Sequence, residues 1–463
     1  MNLNKLNIIM ILFLSSCLYY PSKTTIDNSL LTSNDCELER FSNFRIYKSF
    51  DKNRICVYSP RRKLLKIIQH NSNHNKLYNL SAKEVITGLD IAEADQFHFL
   101  NQTKFALLTN STGVNKDLNN ILEILIHHNK KPSLLMEPEH GIFGSEDEVF
   151  NQIIRYEKHY QIPILNLYSR IKKPPLNYLK QIDSIIIDIQ NLPVRCYTYI
   201  STLTYLLETA DLLQKEIIIL DRPHPYGIWK PMGHFLQEGY ESFVGEAPVP
   251  FLYSLTPGEY AIYMALYKYT NLKLKVIRME NFIPEDINWT LANTWINPSP
   301  NIPDLESALM YVGMVFFEGT NISVGRGTTK PFIYTGAPWL NNNLVLKELQ
   351  KLKLKGIKFG LIEFRPTYSL YKGELCKGIQ FYPISSEFDP IQVGYEYMRI
   401  IKKIHPDKFQ FKFSGNHYFI DKLWGSDSYR ISIETDLHYK EFRNLWQSES
   451  DFFYQFIQNI KLY

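Results

Sequence analysis

Cysteine is scarce. The 463 residues hold five, at positions 17, 36, 56, 196 and 376, with no Cys-x-x-Cys and no histidine spacing to complete a metal set. A structural zinc module is therefore excluded, and no metal is expected. Cys36 and Cys56 are close enough in sequence to bridge in an oxidising compartment, while Cys196 and Cys376 read as small buried hydrophobes. One-sided charge is missing as well. A net charge of +4, from 51 basic and 47 acidic residues, is no argument for nucleic acid. No Gly-x-Gly-x-x-Gly follows the first strand and no Gly-x-x-x-x-Gly-Lys-Ser/Thr occurs, so no nucleotide cofactor is expected. "GRGTTK" (325–330) is Gly-rich without the spacing of a phosphate loop. The lack of Gly-x-Ser-x-Gly disfavours a serine hydrolase. Beyond the first residues, no stretch reaches the ~18 apolar residues of a membrane helix.

Aromatic residues are abundant, at 14% of the chain with 31 Tyr and 28 Phe. Rings stack on sugars, but aromatic cores are their commoner use. At the start, Lys5 precedes "LNIIMILFLSSC", an apolar stretch too short to span a bilayer. Leu14-Ser15-Ser16-Cys17 resembles the lipobox of bacterial lipoproteins, which implies a 1–17 signal peptide and a lipid anchor on Cys17 in the cell envelope. Residues 18–84 are polar and weakly periodic, and read as a tether plus an irregular extension. "HNSNHNK" (70–76) reads as a polar loop.

From residue 85 the pattern sharpens. "FALLTN" (105–110), "SLLM" (133–136), "ILNLY" (164–168), "SIIIDI" (184–189), "EIIILD" (216–221) and "LKVIRM" (274–279) are short apolar runs. Helical patterns separate them at 117–128, 149–160, 201–214 and 258–270. Such alternation predicts an α/β domain over 85–299, with a parallel sheet covered on both faces. Ligands bind such sheets beyond the strands' carboxyl ends. There the sequence places "STG", "EPEHG", "QNLPVRCYTY" and "RPHPYG". "NPSPNIPD" (297–304) predicts an extended linker. Residues 300–463 then read as a smaller mixed α+β domain. Strand-and-turn material is expected at 310–339, helices at 343–353 and 390–404, and strands near 357–364 and 379–382.

Seven motifs occur in one order: "NSTGV", "PEHGIFG", "DIQ" with "YTYISTL", "LDRPHP", "FVGEAPVP" with "TPGE", "PSPN", and "EGTNISVGRGTTKPF" with "GAPW". Together they resemble the exo-β-N-acetylmuramidase family (glycoside hydrolase family 171), from about residue 85 to the C-terminus. The resemblance implies a Rossmann-like domain whose cleft is completed by a smaller second domain. It also implies removal of terminal, non-reducing N-acetylmuramic acid (MurNAc) from peptidoglycan fragments such as MurNAc-GlcNAc, with no cofactor. Asn191, Pro193 and His224 depart from the family pattern. A muropeptide-binding lipoprotein without catalysis, or a hydrolase of another amino sugar, are the alternatives.

Cleaving a β-glycoside needs a proton for the leaving oxygen and support for an oxocarbenium-like transition state. Glu139, stiffened by Pro138 and carried by the "PEHG" resemblance, is the expected general acid. Glu137, two residues away in an extended segment, is expected to point the same way and raise its pKa. His140 is a candidate to orient Glu139 or touch substrate; Gly141 and Gly144 allow a tight turn. For the second role two schemes stay open: Asp188 or Glu318 orienting the substrate's acetamido group, or Glu318 or Glu259 activating water. Asp188 and Asp221 also have a structural alternative, capping turns or pairing with Arg195 and Arg222. A guanidinium reads the MurNAc lactyl carboxylate best, so Arg326, between Gly325 and Gly327, is the first candidate and Arg195 the second. Arg222, Asn321 and Tyr197 complete the expected binding set, with Tyr199 and Trp339 as stacking candidates.

Overall fold

Four strands open the architecture: β1 (Cys36–Phe41), β2 (Phe44–Ser49), β3 (Arg54–Tyr58) and β4 (Leu64–Gln69), paired in that order as an antiparallel meander. The computed structural model describes the backbone of these strands and residues 83–144 and 152–463. The leader with Cys17 and the "HNSNHNK" loop lie outside the described residues. Where the sequence suggests an irregular extension, "FRIYKS" and "RICVY" are instead strands, as their β-branched and aromatic content favours. The register pairs Cys36 with Ser49 and Cys56 with Tyr47, so β2 lies between the two cysteines. Two strand spacings, about 9–10 Å, exceed the Cα span of a disulfide, and this register does not allow the expected bridge.

Residues 82–265 and 272–461 belong to a second unit. Its main sheet has seven strands: β5 (Phe105–Thr109), β6 (Leu134–Glu137), β7 (Ile154–Tyr156), β8 (Pro163–Asn166), β9 (Ser184–Asp188), β10 (Glu216–Leu220) and β13 (Lys273–Ile277); β11 (Met232–Phe235) and β12 (Pro250–Leu252) pair with each other in a small separate sheet. The order is β13-β10-β9-β5-β6-β8-β7, and every pairing is parallel except that of β7. Every residue of "FALLT" and "SIIID" is buried, the mark of strands covered on both faces. Leu89 and Ala92 from one helix and Leu122 and Leu125 from another join Leu107, Leu135 and Ile186 in one core.

The structure departs from the sequence patterns at four places. The helix expected at 117–128 starts only at Ile121, because Asn115 holds a turn through the amides of Asp117 and Asn119 and Asn120 caps the helix. Over the described residues 152–160 there is no helix. Residues 154–156 form the antiparallel edge strand β7, and pairing with β8 overrides the 3.6-residue spacing. The "NPSPNIPD" segment is no loose linker, since Ser299, Asn301 and Ile302 are buried. Most of "MYVGMVFFEG" is helical: Leu305–Met314, capped by Asp304, runs into the 3₁₀ turn Val315–Gly319. Residues 307–314 are all buried, so the helix has no polar stripe to show its period.

That helix crosses the amphipathic helix Pro390–Ile404 at two glycines. A Cβ on Gly394 would lie 2.1 Å from the carbonyl oxygen of Gly313. An antiparallel sheet, β14 (Tyr334–Ala337), β16 (Cys376–Pro383) and β15 (Ile357–Phe364), packs in the same C-terminal part. The "GRGTTK" loop leads into β14, which places Arg326.

Candidate active site

Chain order in the main sheet reverses around β5 and β9. β6 lies on the far side of β5, and β10 on the far side of β9. Such a switch opens a crevice beyond the carboxyl ends of the strands. Hydrogen bonds knit that edge together. The Thr109 hydroxyl donates to the Asp188 carbonyl (3.0 Å). Asn110 accepts from the Thr112 amide (3.0 Å) and hydroxyl (2.6 Å) and donates to the Tyr199 hydroxyl (2.9 Å).

β6 ends at Glu137, and the following turn is built from left-handed residues: His140 (φ 70°), Gly141 (φ 71°) and Gly144 (φ 70°). A Cβ on Gly144 would meet the Ser111 hydroxyl at 2.6 Å, so the turn lies hard against the β5 end. The turn presents Glu139, partly exposed, to the crevice. Thr198 donates its hydroxyl to Glu139 Oε2. The Tyr199 hydroxyl sits 3.3 Å from the Glu139 carbonyl and also reaches the Pro298 carbonyl. β6 and β8 pair Glu137 with Asn166 and the Leu167 amide donates to the Glu137 carbonyl (3.0 Å), so Tyr168 follows at the same strand-end edge as the Glu139 carboxylate. Burial first, then that carboxylate, hold the phenol well above its ordinary pKa; the charges of Arg326 and Glu318 reach it too.

Glu318 and Arg326 form an ion pair of 2.6 Å (Oε1 to Nε), with side chains 21% and 28% exposed, so both keep some surface for a ligand. Arg326 also lies over the Phe332 ring at 5.3 Å. A run of edge-on rings joins it to the Glu139 side: Phe332 to Tyr311 (4.9 Å), Tyr311 to Tyr197 (5.8 Å), Tyr197 to Tyr199 (4.9 Å). Gly325 and Gly327 both have positive φ, and a Cβ on Gly327 would strike the Tyr368 backbone at 2.7 Å. Next to this loop lies a cavity of about 660 Å³, lined among others by Asn301, Gly327, Thr328, Arg365 and Tyr368.

Several expected site residues are engaged elsewhere. Glu137 is 1% exposed. Its Oε2 accepts from Arg155 Nη2 (2.6 Å) and from the Ile142 amide (3.3 Å), so it anchors the turn from beneath. The strand stops at Glu137, whose charge Arg155 answers, so the extended spacing expected to set the two acids side by side does not continue to Glu139. Asp188 is fully buried and held by Arg222 through two bonds (2.5 and 2.9 Å), and Arg222 also donates to the Val114 carbonyl (2.9 Å). Burial raises the Asp188 pKa and Arg222 opposes it. The structural alternative fits this pair, which is buried and mutually satisfied.

Arg195 is wholly buried, donating to the carbonyls of His234, Val249 and Trp424. Burial lowers its pKa to about 10. It locks main chain together and cannot read a substrate. Glu259 is buried, and its carboxylate accepts from the Thr256 amide (3.0 Å) as a cap on helix Pro257–Tyr267. Asn321 uses both ends of its amide on the 408–410 backbone. Tyr197 is a buried core ring, and Trp339 donates to the Tyr371 hydroxyl (3.1 Å). Asp221 is a buried hub receiving bonds from Thr256, Gly258 and Tyr463, and burial lifts its pKa to about 7. The Asn191 departure is also internal: its amide donates to the Tyr253 hydroxyl (2.5 Å). Among the described residues, no group of three or more His, Cys, Asp or Glu is placed to hold a metal ion.

Three residues at the locus escaped the sequence reading. Tyr168 was hidden in the run "ILNLY", yet β8 ends at Asn166, which puts the tyrosine past the strand's carboxyl end. Thr198 lies inside a flagged motif, one residue before helix Tyr199–Leu213. Lys172 carries no motif signal; only its distance of four residues from Tyr168 hints at a role.

The fold and this locus define a doubly wound α/β protein with an acid-bearing crevice, completed by a C-terminal α+β part that supplies a carboxylate–guanidinium pair. The profile for the N-terminal region of the exo-beta-N-acetylmuramidase NamZ matches residues 105–306, and that for its C-terminal region matches residues 309–463. The peptidoglycan beta-N-acetylmuramidase NamZ of Bacillus subtilis (strain 168) is 35% identical over 364 residues, covering 77% of this chain and 86% of that protein. Two solved structures of DUF1343 family proteins from Bacteroides fragilis NCTC 9343 share the fold. One aligns with a TM-score of 0.76 at 28% identity, the other with 0.65 at 25%, each covering 82% of this chain and 99% of the other. The chain belongs to the NamZ family of exo-β-N-acetylmuramidases.

Proposed function

We propose that this chain is an exo-acting glycoside hydrolase that removes a non-reducing terminal, β-linked MurNAc from peptidoglycan fragments. One observation carries the reading: Glu139, partly exposed and bonded by Thr198, stands at the strand-end edge of the sheet, and the Glu318–Arg326 pair keeps accessible surface, so the chain offers an acid and a separate carboxylate–guanidinium pair. The B. subtilis relative, named a peptidoglycan beta-N-acetylmuramidase, supplies the substrate class.

In this scheme Glu139 gives its proton to the glycosidic oxygen. Thr198 fixes the carboxyl's direction, which makes proton transfer a matter of approach rather than search. Of the three acids expected in the second role, Asp188 and Glu259 are buried and engaged, which leaves Glu318 on the accessible face. It serves either by orienting the acetamido group or by activating water.

Incubating the purified protein with MurNAc-GlcNAc is expected to release free MurNAc, measured by mass spectrometry. Tight binding of the disaccharide with no release would replace this reading with that of a muropeptide-binding protein. From Leu14-Ser15-Ser16-Cys17 we also infer a lipid anchor in the bacterial envelope. Metabolic labelling with a fatty acid should mark the wild type and not Cys17→Ala; equal labelling of both, or of neither, sinks the anchor.

A further inference from the structure

Lys172, four residues past Tyr168, has no carboxylate within ion-pair distance among the described residues. Its ammonium lies 3.5 Å from the Tyr168 ring centroid and 4.4 Å from that of Phe243, and donates to the Tyr168 carbonyl at 3.2 Å. The two rings pack at 5.5 Å, and Tyr205 stacks against Phe243 at 6.4 Å. Tyr205 is in turn held by Glu246 (3.1 Å). This wall positions the ammonium by cation–π contact, which holds a charge without neutralising it. Partial burial lowers the lysine's pKa, and the Glu139 charge acts against that.

The other cations are placed less well. Arg326 is already paired with Glu318 at 2.6 Å. Lys412 is exposed and senses Glu318. Arg195 is sealed in the core.

We propose that Lys172 recognises the lactyl carboxylate of the MurNAc unit whose glycosidic bond Glu139 protonates. The inference rests on the muramidase reading and adds the residue that selects the substrate. In MurNAc the lactyl ether is on C3 and the scissile oxygen on C1 of the same ring. A reader of the first must stand about one sugar ring away from the acid that serves the second. Lys172 stands on the face of Tyr168, the second residue past the end of β8, and the register that pairs Glu137 with Asn166 puts that end beside the turn carrying Glu139. The charge balance points the same way. An anionic substituent entering beside Glu139 and Glu318 is repelled unless a cation not already paired receives it. A sugar with a neutral C3 substituent gains nothing from Lys172.

The test compares two substrates on the full chain: 4-nitrophenyl β-MurNAc and the analogue with its lactyl acid converted to the uncharged amide. The wild type is expected to prefer the acid in kcat/KM. Lys172→Met should shrink that preference by about 10- to 100-fold, the worth of one charge-assisted hydrogen bond, and Lys172→Arg should keep most of it. Turnover of the amide by Lys172→Met shows that the variant is folded. A preference unchanged in Lys172→Met, or a wild type that does not distinguish acid from amide, overturns the assignment of Lys172. A wild type that releases nothing from either compound overturns the muramidase reading along with it.

Discussion

Glu139→Gln is expected to lower kcat on MurNAc-GlcNAc by about 10³-fold, within the range general acids contribute, while KM changes little. A GlcNAc leaving oxygen is a poor leaving group and must be protonated as the bond breaks. The amide oxygen of the substituted side chain can still accept the Thr198 hydroxyl bond, so the turn at 138–144 and the crevice shape should persist. The loss then reports the missing proton and not a collapsed site. Steady-state kinetics, with calorimetric binding of the disaccharide to the variant, check both halves. A variant that retains more than about a tenth of wild-type kcat would contradict the role given to Glu139.

Arg222→Met is expected to cost stability rather than chemistry. It leaves Asp188, fully buried, without the two bonds that answer its charge. Removing one partner of a buried pair typically costs about 3–5 kcal/mol, because the other charge stays behind in a medium that cannot solvate it. The double variant Asp188→Leu with Arg222→Met removes both charges and should recover much of that loss. Urea denaturation followed by circular dichroism measures each step. Turnover by the refolded double variant would confirm that the pair is a strut under the β5–β9 edge. A double variant as stable as wild type but inactive would return Asp188 to the catalytic set.

Much of the fold was legible because apolar runs such as "SIIIDI" and "EIIILD" have few alternatives to buried parallel strands. The polar clusters after them also marked the edge of the sheet that carries Glu139. Two kinds of element were hidden. Residues 307–314 of the helix Leu305–Met314 are all buried, so no amphipathic period betrayed it. Strand β7 has helical spacing and takes its form from its neighbour β8.

The site divides in the same way. Turn chemistry and motif order single out Glu139, Glu318 and Arg326, and the structure leaves all three partly exposed. Arg195, Glu259 and Asn321 carry equally suggestive residue types, yet Arg195 and Asn321 find their partners in main-chain atoms distant in sequence: Trp424 for Arg195, Lys408 and Gln410 for Asn321. Long-range satisfaction of a buried polar group leaves no local mark. Tyr168 and Lys172 were missed for the converse reason: an ordinary tyrosine and lysine become notable only once a strand end is known to stop at Asn166.

The most direct test of the central claim varies the leaving group. Wild type and Glu139→Gln are compared on β-MurNAc glycosides of GlcNAc, 4-nitrophenol and 2,4-dinitrophenol. If Glu139 protonates the departing oxygen, the variant's deficit is largest for GlcNAc and shrinks steadily as the leaving group becomes more acidic, nearly vanishing for 2,4-dinitrophenol. A deficit of equal size across all three would show that Glu139 does something other than deliver that proton.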